Sequence, residues 1–446
     1  MPNPSFDSSV QLARRLGLFD ATMIVMGGII GSGIFINPYV VAQQVHTRFL
    51  ILGVWAFGGL LALIAAFVWA ELAAWRPDVG GQYAYLREAF HPGVAFLYGW
   101  VLLLVIQTGG MAAVAVTFSR YFVEMLHVPV RDSVLAAIVL AVLTIVNCLG
   151  VRAGSTVQSI LMVLKIVAIA GLVTCGLMFV APNAVAPTST GMLDRPLSID
   201  LLTAIGAAMV PVLFAYGGWQ TATFLAGEIK EPAKNLTRGL IYGVAGVVVL
   251  YLTANVVYIR VLGTDGLALA TAPASDVMRR ALGETGARII AAGIAISTVG
   301  FLSQSMLTAP RVYFAMAQDR LFFKRVGMVH PRTKAPIVAI ALQGLLAIVI
   351  AFWGRYEQIL NYVVSMDFIF FGLTACCVFI FRKRAPQTVQ SIRTPGHPFT
   401  TLLFIAACWL VVANTIIRYP SNTLIGMAIL LAGIPAYLFW RWRSQP

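Results

Sequence analysis

The segment GGIIGSGIF at residues 27–35 decides the fold, because it places four glycines inside an apolar run long enough to cross a membrane. A second apolar run is interrupted in a similar way by FAYGGW at residues 214–219. Backbone groups that lose their helical partners at membrane depth are costly unless they line a cavity or bind a ligand. The two segments together therefore predict two broken helices that meet at a binding site.

The composition indicates a protein that crosses a membrane several times. Of 446 residues, 59% are hydrophobic and only 11% are charged, whereas an ordinary soluble domain has about 25% charged residues. A mean hydropathy of +0.86 agrees with this interpretation. A soluble enzyme and a disordered chain are both excluded on these grounds. Residues 18–30 continue into further apolar residues without a cleavage pattern, so we expect no removable signal peptide.

Apolar runs of membrane-crossing length predict twelve spans. Their expected limits are 18–44, 48–75, 93–125, 131–150, 155–181, 201–229, 236–262, 285–318, 335–353, 356–381, 398–418 and 422–442. An even number of spans places both termini on one side. About 20 of the 31 Lys and Arg residues fall on that side, which predicts cytoplasmic termini and a multi-pass protein of the cell (inner) membrane. The net charge of +14 then reflects topology and not a nucleic-acid-binding surface.

The two glycine breaks occupy matching positions, because each opens a block of five predicted spans. The sequence therefore divides into a cytoplasmic N-terminus (1–17), a first five-helix repeat (18–181), a second and inverted repeat (201–381), and two additional helices with the C-terminus (398–446). Close helix packing is the alternative explanation for glycine-rich spans. A single break would favour packing, whereas two matched breaks favour a site.

The ends of the interrupted helices predict the chemistry of the ligand. The amides of residues 31–33 begin the outer half of span 1 and carry partial positive charge, which suits a carboxylate. Unpaired carbonyls near Ile29, Phe214 and Ala215 suit an ammonium group. This combination favours a zwitterionic α-amino acid over a sugar or an inorganic ion.

At these residues the chain resembles the amino acid–polyamine–organocation transporter superfamily, and within it the L-type amino acid transporter family of prokaryotic type. The resemblance is carried by both glycine segments and by motifs spread over the whole chain. These motifs are AEL at 70–72, GGQYAY at 80–85, GEIKEPAKNL at 227–236, RVYFA at 311–315 and GIPAY at 433–437.

The resemblance implies an all-α membrane protein with a LeuT-like fold, in which helices 1 and 6 are discontinuous and five plus five inverted spans are followed by two extra helices. It also implies sodium-independent amino acid exchange by alternating access. By the same resemblance, Phe214 is an outer gate over the substrate and Tyr251 lies near the opened span 1. The predicted substrate-binding residues are Ile29, Gly31, Ser32, Gly33, Phe214, Ala215, Gly217, Trp219 and Asp367. For Trp219, a place in the pocket wall and a role in packing have equal weight.

Lys165 lies inside predicted span 5. A lysine at the centre of a bilayer costs at least about 2.5–3.5 kcal/mol, so an intramembrane lysine is a functional candidate by default. Snorkelling of its long side chain toward the surface is the alternative. The resemblance implies that its ammonium takes the place of a sodium ion and bridges span 5 to the inner half of span 1. It could also carry a coupling proton.

Asp367 lies in the middle of predicted span 10, where members of the resembling family more often have an uncharged residue. Its carboxyl group could bond a polar substrate side chain, accept a proton, or bond a neighbouring helix. A carboxylate there would disfavour substrates with acidic side chains.

The sequence predicts neither a metal site nor a cofactor. All five cysteines fall inside predicted spans, and the five histidines have no metal-ligand spacing. Eukaryotic members of the resembling family often bind a heavy chain through a cysteine in the loop after span 3. The corresponding loop, residues 124–132, contains no cysteine, so no disulfide-linked heavy chain is expected.

A carrier for small or medium neutral amino acids is the first functional hypothesis. A proton-coupled symporter is the nearest alternative, and cationic amino acids or polyamines are less favoured substrates. An ion channel would need a repeated pore ring or filter, and a membrane enzyme would need a nucleophile–base or metal constellation. Neither pattern is apparent in the sequence.

Overall fold

The computed structural model describes residues 16–77, 80–126, 130–149, 154–181, 191–193, 195–331, 333, 335–353, 356–384 and 392–443. Within these ranges the chain is helical, with one isolated bridge between Leu16 and Ile229. Most of the predicted N-terminal segment 1–17 and residues 127–129 of the loop after span 3 lie outside the described residues.

The first half of the chain forms eight α-helices. They are α1 (Leu18–Ile29), α2 (Gly33–Gln44), α3 (Arg48–Trp75), α4 (Gln82–Ala89), α5 (Pro92–Val101), α6 (Gln107–Leu126), α7 (Asp132–Leu149) and α8 (Gly154–Met178). A π-helical turn, Leu102–Ile106, joins α5 to α6. Because π turns insert an extra residue into the helical ladder, they often mark functional positions.

The second half forms eight more. They are α9 (Ile199–Tyr216), α10 (Pro232–Leu269), α11 (Pro273–Thr308), α12 (Pro310–Gln318), α13 (Ile337–Trp353), α14 (Tyr356–Arg384), α15 (Phe399–Arg418) and α16 (Pro420–Arg443). A 3₁₀ helix, Trp219–Glu228, follows α9, and a shorter one, Lys324–Gly327, follows α12.

Among the described residues, nine helical segments are long and apolar enough to cross a membrane, and the bent pair α1–α2 makes a tenth. Two shorter apolar helices, Asp132–Cys148 and Ile337–Trp353, lie where spans 4 and 9 are expected. The all-helical membrane architecture predicted from composition is thereby confirmed.

The chain breaks at both glycine segments. α1 ends at Ile29, Ile30 adopts an extended conformation, and α2 resumes at Gly33 with its axis turned by 41°. α9 ends at Tyr216, and Gly218 takes a left-handed conformation with φ +110° before the 3₁₀ helix begins. A residue with a side chain is strained at such a φ, which explains why glycine occupies this position.

The two interrupted segments lie side by side in the interior. α1 packs on α10 and on the 3₁₀ helix after α9, while α2 packs on α9 and α10. The helices α8, α11 and α14 pack against them, and the Tyr121 hydroxyl of α6 donates to the Phe35 carbonyl oxygen of α2. This arrangement brings segments almost 200 residues apart in sequence into one place.

Candidate functional site

The two breaks meet backbone to backbone at Gly28 and Gly218. A Cβ atom on Gly28 would lie 2.7 Å from the Gly218 carbonyl oxygen, and one on Gly218 would lie within van der Waals overlap of Gly28. Any side chain at either position would push the two segments apart. The two backbones therefore approach each other at the same glycines at which the helices open. Close helix packing and formation of a binding site, the two explanations for these glycines, apply together.

A cavity lies at this junction. It encloses about 730 Å³ of space not filled by protein atoms, part of which is open to solvent. This volume is typical of small-molecule sites, which usually measure about 300–1,000 Å³. Its walls come from the α1–α2 break, the break after α9, and the helices α6, α11 and α14. All the predicted substrate-binding residues except Trp219 line it.

The amides at the start of α2 are available to a ligand at two of the three predicted positions. The Gly31 amide donates to the Ile29 carbonyl oxygen at 2.9 Å, so it is already used. Within the described backbone no hydrogen bond uses the Ser32 or Gly33 amide. The buried Ser32 hydroxyl also has no partner among the described residues. These three donors lie at a helix N-terminus, where an anion is favoured.

The three carbonyls that the sequence predicts to be unpaired differ from one another in the structure. The Ile29 carbonyl accepts a second hydrogen bond from the Tyr251 hydroxyl at 3.3 Å, which occupies both of its lone pairs. The Phe214 carbonyl accepts one from the Gly217 amide at 3.2 Å and keeps one lone pair. The Ala215 carbonyl accepts none among the described residues. Acceptors for an ammonium group therefore remain at Phe214 and Ala215.

Lys165 reaches the broken end of α1 instead of the membrane surface. It lies on α8 and is only 1% exposed. Its ammonium donates to the carbonyl oxygens of Ile30 at 2.8 Å and Gly27 at 3.3 Å. These are carbonyls that the break leaves without helical partners. The cation thus holds the carbonyl end of α1 in its opened form.

Asp367 places a carboxyl group at the cavity. Of the described lining residues, it alone has an ionisable side chain. The residue is 9% exposed, and its Oδ1 atom has no hydrogen-bond partner among the described residues. A hydrogen bond from Oδ1 to a neighbouring helix, one of the three possibilities raised by the sequence, is thus not present in this structure.

Trp219 lies behind the cavity wall and not in it. It is 1% exposed and packs against Phe371, with ring centroids 5.0 Å apart, and edge-on to Trp69 at 6.1 Å. The 3₁₀ geometry after Gly218 turns the indole away from the ligand space. Phe214 does line the cavity and is half-buried.

The sequence analysis does not predict several residues that line the cavity. Gln107, Gln304 and Ser305 line the cavity from α6 and α11. Gln304 also donates to the Ile24 carbonyl oxygen at 2.7 Å. A signal for these residues existed, because uncharged polar side chains inside apolar spans tend to face protein and not lipid. The π turn that directs Gln107 inward is visible only in the structure.

Ion pairs tie helices together near the ends of α3 and α14. Glu71, which is fully buried, accepts two hydrogen bonds from Arg382 at 2.7 and 2.8 Å. The amide and hydroxyl of Thr394 donate to the same carboxylate, each at 2.7 Å. A second pair joins Arg311 to Glu228 at 3.1 Å. These contacts indicate a structural role for Glu71 and Glu228.

Comparison with known families identifies the class of protein. The sequence profile of the amino acid permease family matches residues 16–434. The chain belongs to this family of membrane transporters, as its motifs predict. It is accordingly an amino acid transporter and not an enzyme.

Individual relatives cover nearly the whole chain. It is 29% identical to a serine/threonine exchanger of Bacillus subtilis over 433 residues, which are 96% of each protein. It is 30% identical to the large neutral amino acids transporter small subunit 2 of Mus musculus, over 98% of this chain and 83% of the relative. It is 28% identical to the human cystine/glutamate transporter, over 99% of this chain and 88% of the relative. Among the described residues no group of three or more His, Cys, Asp or Glu side chains could hold a metal ion.

Proposed function

We propose that this protein is a sodium-independent exchanger of neutral α-amino acids of small to medium size, working by alternating access. The observation that carries this proposal is the presence of unused donors and unused acceptors in one cavity. Among the described residues, the Ser32 and Gly33 amides and the Ala215 carbonyl have no hydrogen-bond partner, and all three residues line the cavity. An α-amino acid, which carries a carboxylate and an ammonium on one carbon atom, satisfies both kinds of group.

In the proposed complex, the substrate carboxylate lies at the N-terminus of α2. There it accepts hydrogen bonds from the Ser32 and Gly33 amides and from the Ser32 hydroxyl. Its ammonium group donates to the carbonyls of Phe214 and Ala215. Phe214 covers the bound substrate as the outer gate. Each direct bond to a charged group contributes about 1.5–3 kcal/mol, so these contacts are enough to orient the substrate.

Sodium independence is supported by Lys165. Its ammonium already donates hydrogen bonds to the carbonyls of Gly27 and Ile30 at the α1 break. A metal cation bound at the same carbonyls would be repelled by this charge at close range. Tyr251 assists by donating to the neighbouring Ile29 carbonyl.

The preference for neutral side chains is supported by Asp367. A carboxylate that faces the cavity repels acidic substrate side chains and favours hydrogen-bond donors. The human relative at 28% identity is named for cystine and glutamate. We propose that the present chain binds glutamate more weakly than neutral amino acids, because Asp367 repels an acidic side chain whenever its own carboxyl group is ionised.

We propose the following topology, in agreement with the charge distribution of the loops. Twelve spans comprise two inverted repeats, at 18–181 and 201–381, followed by two additional helices at 398–446. Both termini lie in the cytoplasm, and the protein resides in the cell (inner) membrane. No disulfide-linked heavy chain is required, since the loop at 124–132 has no cysteine and a bacterial exchanger is among the relatives.

A proton-coupled symporter is the second candidate, and the unpartnered Asp367 carboxyl favours it. Purified protein in proteoliposomes separates the two. Exchange requires unlabelled amino acid inside the vesicles to drive uptake of labelled alanine, and it continues when choline replaces sodium. Uptake into substrate-free vesicles under an imposed pH gradient would overturn the exchange proposal. A panel of competing amino acids, including glutamate, lysine and a polyamine, then defines the substrate class.

A further inference from the structure

A line of buried polar side chains leads from the cavity toward the turn after α12. It begins at Asp367 on α14 and continues through Tyr98 on α5 and Tyr313 on α12, all of them buried. It ends at Asp319, to which the Tyr83 hydroxyl donates at 2.8 Å. Burial together with the Asp319 carboxylate raises the pKa of the Tyr83 phenol, so Tyr83 remains a neutral donor. One end of this series, Asp367, lines the ligand cavity, and the other end, Asp319, is partly exposed to solvent.

The inner members of this line are unsatisfied. Asp367 Oδ1 and the hydroxyl oxygens of Tyr98 and Tyr313 have no hydrogen-bond partner among the described residues. A buried polar group without a partner costs about 1–3 kcal/mol, and buried groups are normally bonded to protein or to ordered water. Three such groups in one region offer the polar partners that an internal water molecule needs.

Helix α5 contacts both α14 and α12 close to Tyr98. The Tyr98 ring contacts Phe370, one turn after Asp367, with ring centroids 5.4 Å apart. Gly99, next to Tyr98, lies directly against the side chain of Met316, one turn after Tyr313. Asp367 and Tyr313 both lie within electrostatic reach of the Tyr98 phenol.

The end of the line at Asp319 is accessible to water. Asp319 follows Tyr313 by six positions, which corresponds to about 9 Å along a helix. Its side chain is 24% exposed and pairs with Arg87 at 2.6 Å. The charge distribution of the loops assigns this turn to the cytoplasmic face.

No basic side chain compensates Asp367. The ionisable groups that interact electrostatically with its carboxyl are Tyr98 from α5 and Cys408 from α15. Tyr313 interacts electrostatically with Tyr98. Within the described part of the chain, no Lys, Arg or His pairs with it. An uncompensated carboxylate in a membrane interior is expensive, and a bound proton removes that cost.

We propose that Asp367 is a proton-binding site, loaded from the Asp319 face through water held by Tyr98 and Tyr313, and that substrate binding is accompanied by proton uptake at this carboxyl. In this step a hydronium ion transfers its proton to the Asp367 carboxylate, which leaves a carboxyl group and a water molecule. Each tyrosine passes one proton on and receives another, so it is unchanged at the end. Substrate displaces water from the cavity, which favours the neutral carboxyl. This inference takes one point from the proposed function, namely that the substrate is a neutral amino acid.

Calorimetry on the purified full-length chain tests the proton uptake. Alanine is titrated into the protein in buffers of different ionisation enthalpy, over a pH series from neutral to alkaline. We expect net proton uptake for the wild type, tighter binding as the pH falls, and loss of the uptake in Asp367→Asn. The Asp367→Glu variant should keep the uptake but move it to a different pH range. Binding without proton uptake at every pH, or uptake unchanged in Asp367→Asn, overturns the proposal. If Asp367→Asn does not bind alanine, the Asp367→Glu variant decides. Proton uptake over the same pH range in Asp367→Glu as in the wild type overturns the proposal.

Stopped-flow measurement with a pH indicator tests the route. We expect the double variant Tyr98→Phe/Tyr313→Phe to take up the same number of protons more slowly. Tyr258→Phe is the matched control, because Tyr258 is also buried and its hydroxyl also has no partner among the described residues, but it lies on α10. Unchanged kinetics in the double variant, or equal slowing in the control, contradicts the route.

The two proposals fail in distinguishable ways. Exchange of labelled alanine is measured on the same protein preparations at equal pH on both sides of the membrane. Absence of binding and exchange refutes the proposed function. Exchange with alanine binding but without proton uptake refutes only the proton site.

Discussion

The ammonium nitrogen of Lys165 lies 2.8 Å from the carbonyl oxygen of Ile30, an extended residue in the α1–α2 break, 135 positions earlier in the chain. The same nitrogen is 3.3 Å from the Gly27 carbonyl oxygen. A lysine inside a membrane is thereby satisfied by backbone groups that a broken helix exposes. Each of the two costly features, the buried cation and the opened helix, stabilises the other.

We expect Lys165→Ala to impair exchange while the protein remains folded and inserted. The substitution leaves two buried carbonyls without their donor and allows the end of α1 to move. Exchange of labelled alanine in proteoliposomes, with elution on gel filtration as a folding check, measures the effect. Lys234→Ala is the matched control, because the Lys234 side chain is 57% exposed and makes only a surface pair with Glu231. Wild-type kinetics in Lys165→Ala would show that this contact does not contribute to transport.

Gly33→Ala should abolish substrate binding. A Cβ atom at Gly33 would lie 2.7 Å from both the Cα and Cβ atoms of Ala215, so the α2 N-terminus would be forced away from the opposite wall. The effect of Gly31→Ala should be smaller, because its Cβ would meet only the Phe301 ring, at 3.3 Å. Calorimetric titration with alanine measures the binding.

Gly53→Ala serves as the control for these variants, because no atom lies within 4 Å of a Cβ built at this position on α3. It should bind alanine like the wild type. Tight binding in Gly33→Ala would move the carboxylate site away from the start of α2.

Phe214→Ala should weaken substrate binding mainly through faster dissociation. Phe214 is a half-buried aromatic side chain of the cavity wall, and its truncation uncovers the ligand space. Phe214→Tyr, which keeps the ring, should retain slow dissociation. The dissociation rate is measured as the release of bound labelled alanine from detergent-solubilised protein. Equal dissociation rates in the wild type and Phe214→Ala would argue against a gate at this position.

Glu71→Gln should destabilise the fold without touching the cavity. Removal of one partner from a buried ion pair costs about 3–5 kcal/mol, and partial exposure of Arg382 places the expected value near the lower limit. The melting temperature in detergent should fall clearly. Glu284→Gln, in the exposed pair with Arg279, should change stability by no more than about 1 kcal/mol. Equal melting temperatures for Glu71→Gln and the wild type would contradict this role.

The general location of the site is predictable from sequence, but its hydrogen bonds are not. Glycine runs inside apolar spans mark where the helices open, and the structure opens them there. The sequence does not reveal that the Gly31 amide and the Ile29 carbonyl bond each other across the break. It also leaves Trp219 undecided between cavity and core, because that depends on the turn imposed by the left-handed Gly218.

Local chemistry explains what the sequence alone determines. Each apolar run enters the lipid as a separate span, and each glycine opens a helix through the freedom of its own backbone. Spans and breaks can therefore be predicted from short stretches of sequence. Contacts between distant residues are decided only by tertiary packing. Gly28 meets Gly218, Lys165 meets Ile30 and Glu71 meets Arg382 because the helices assemble in one particular arrangement. The ionisable residues Lys165 and Asp367 inside the spans are visible in the sequence. Only packing gives Lys165 its carbonyl partners and leaves Asp367 Oδ1 without a partner among the described residues.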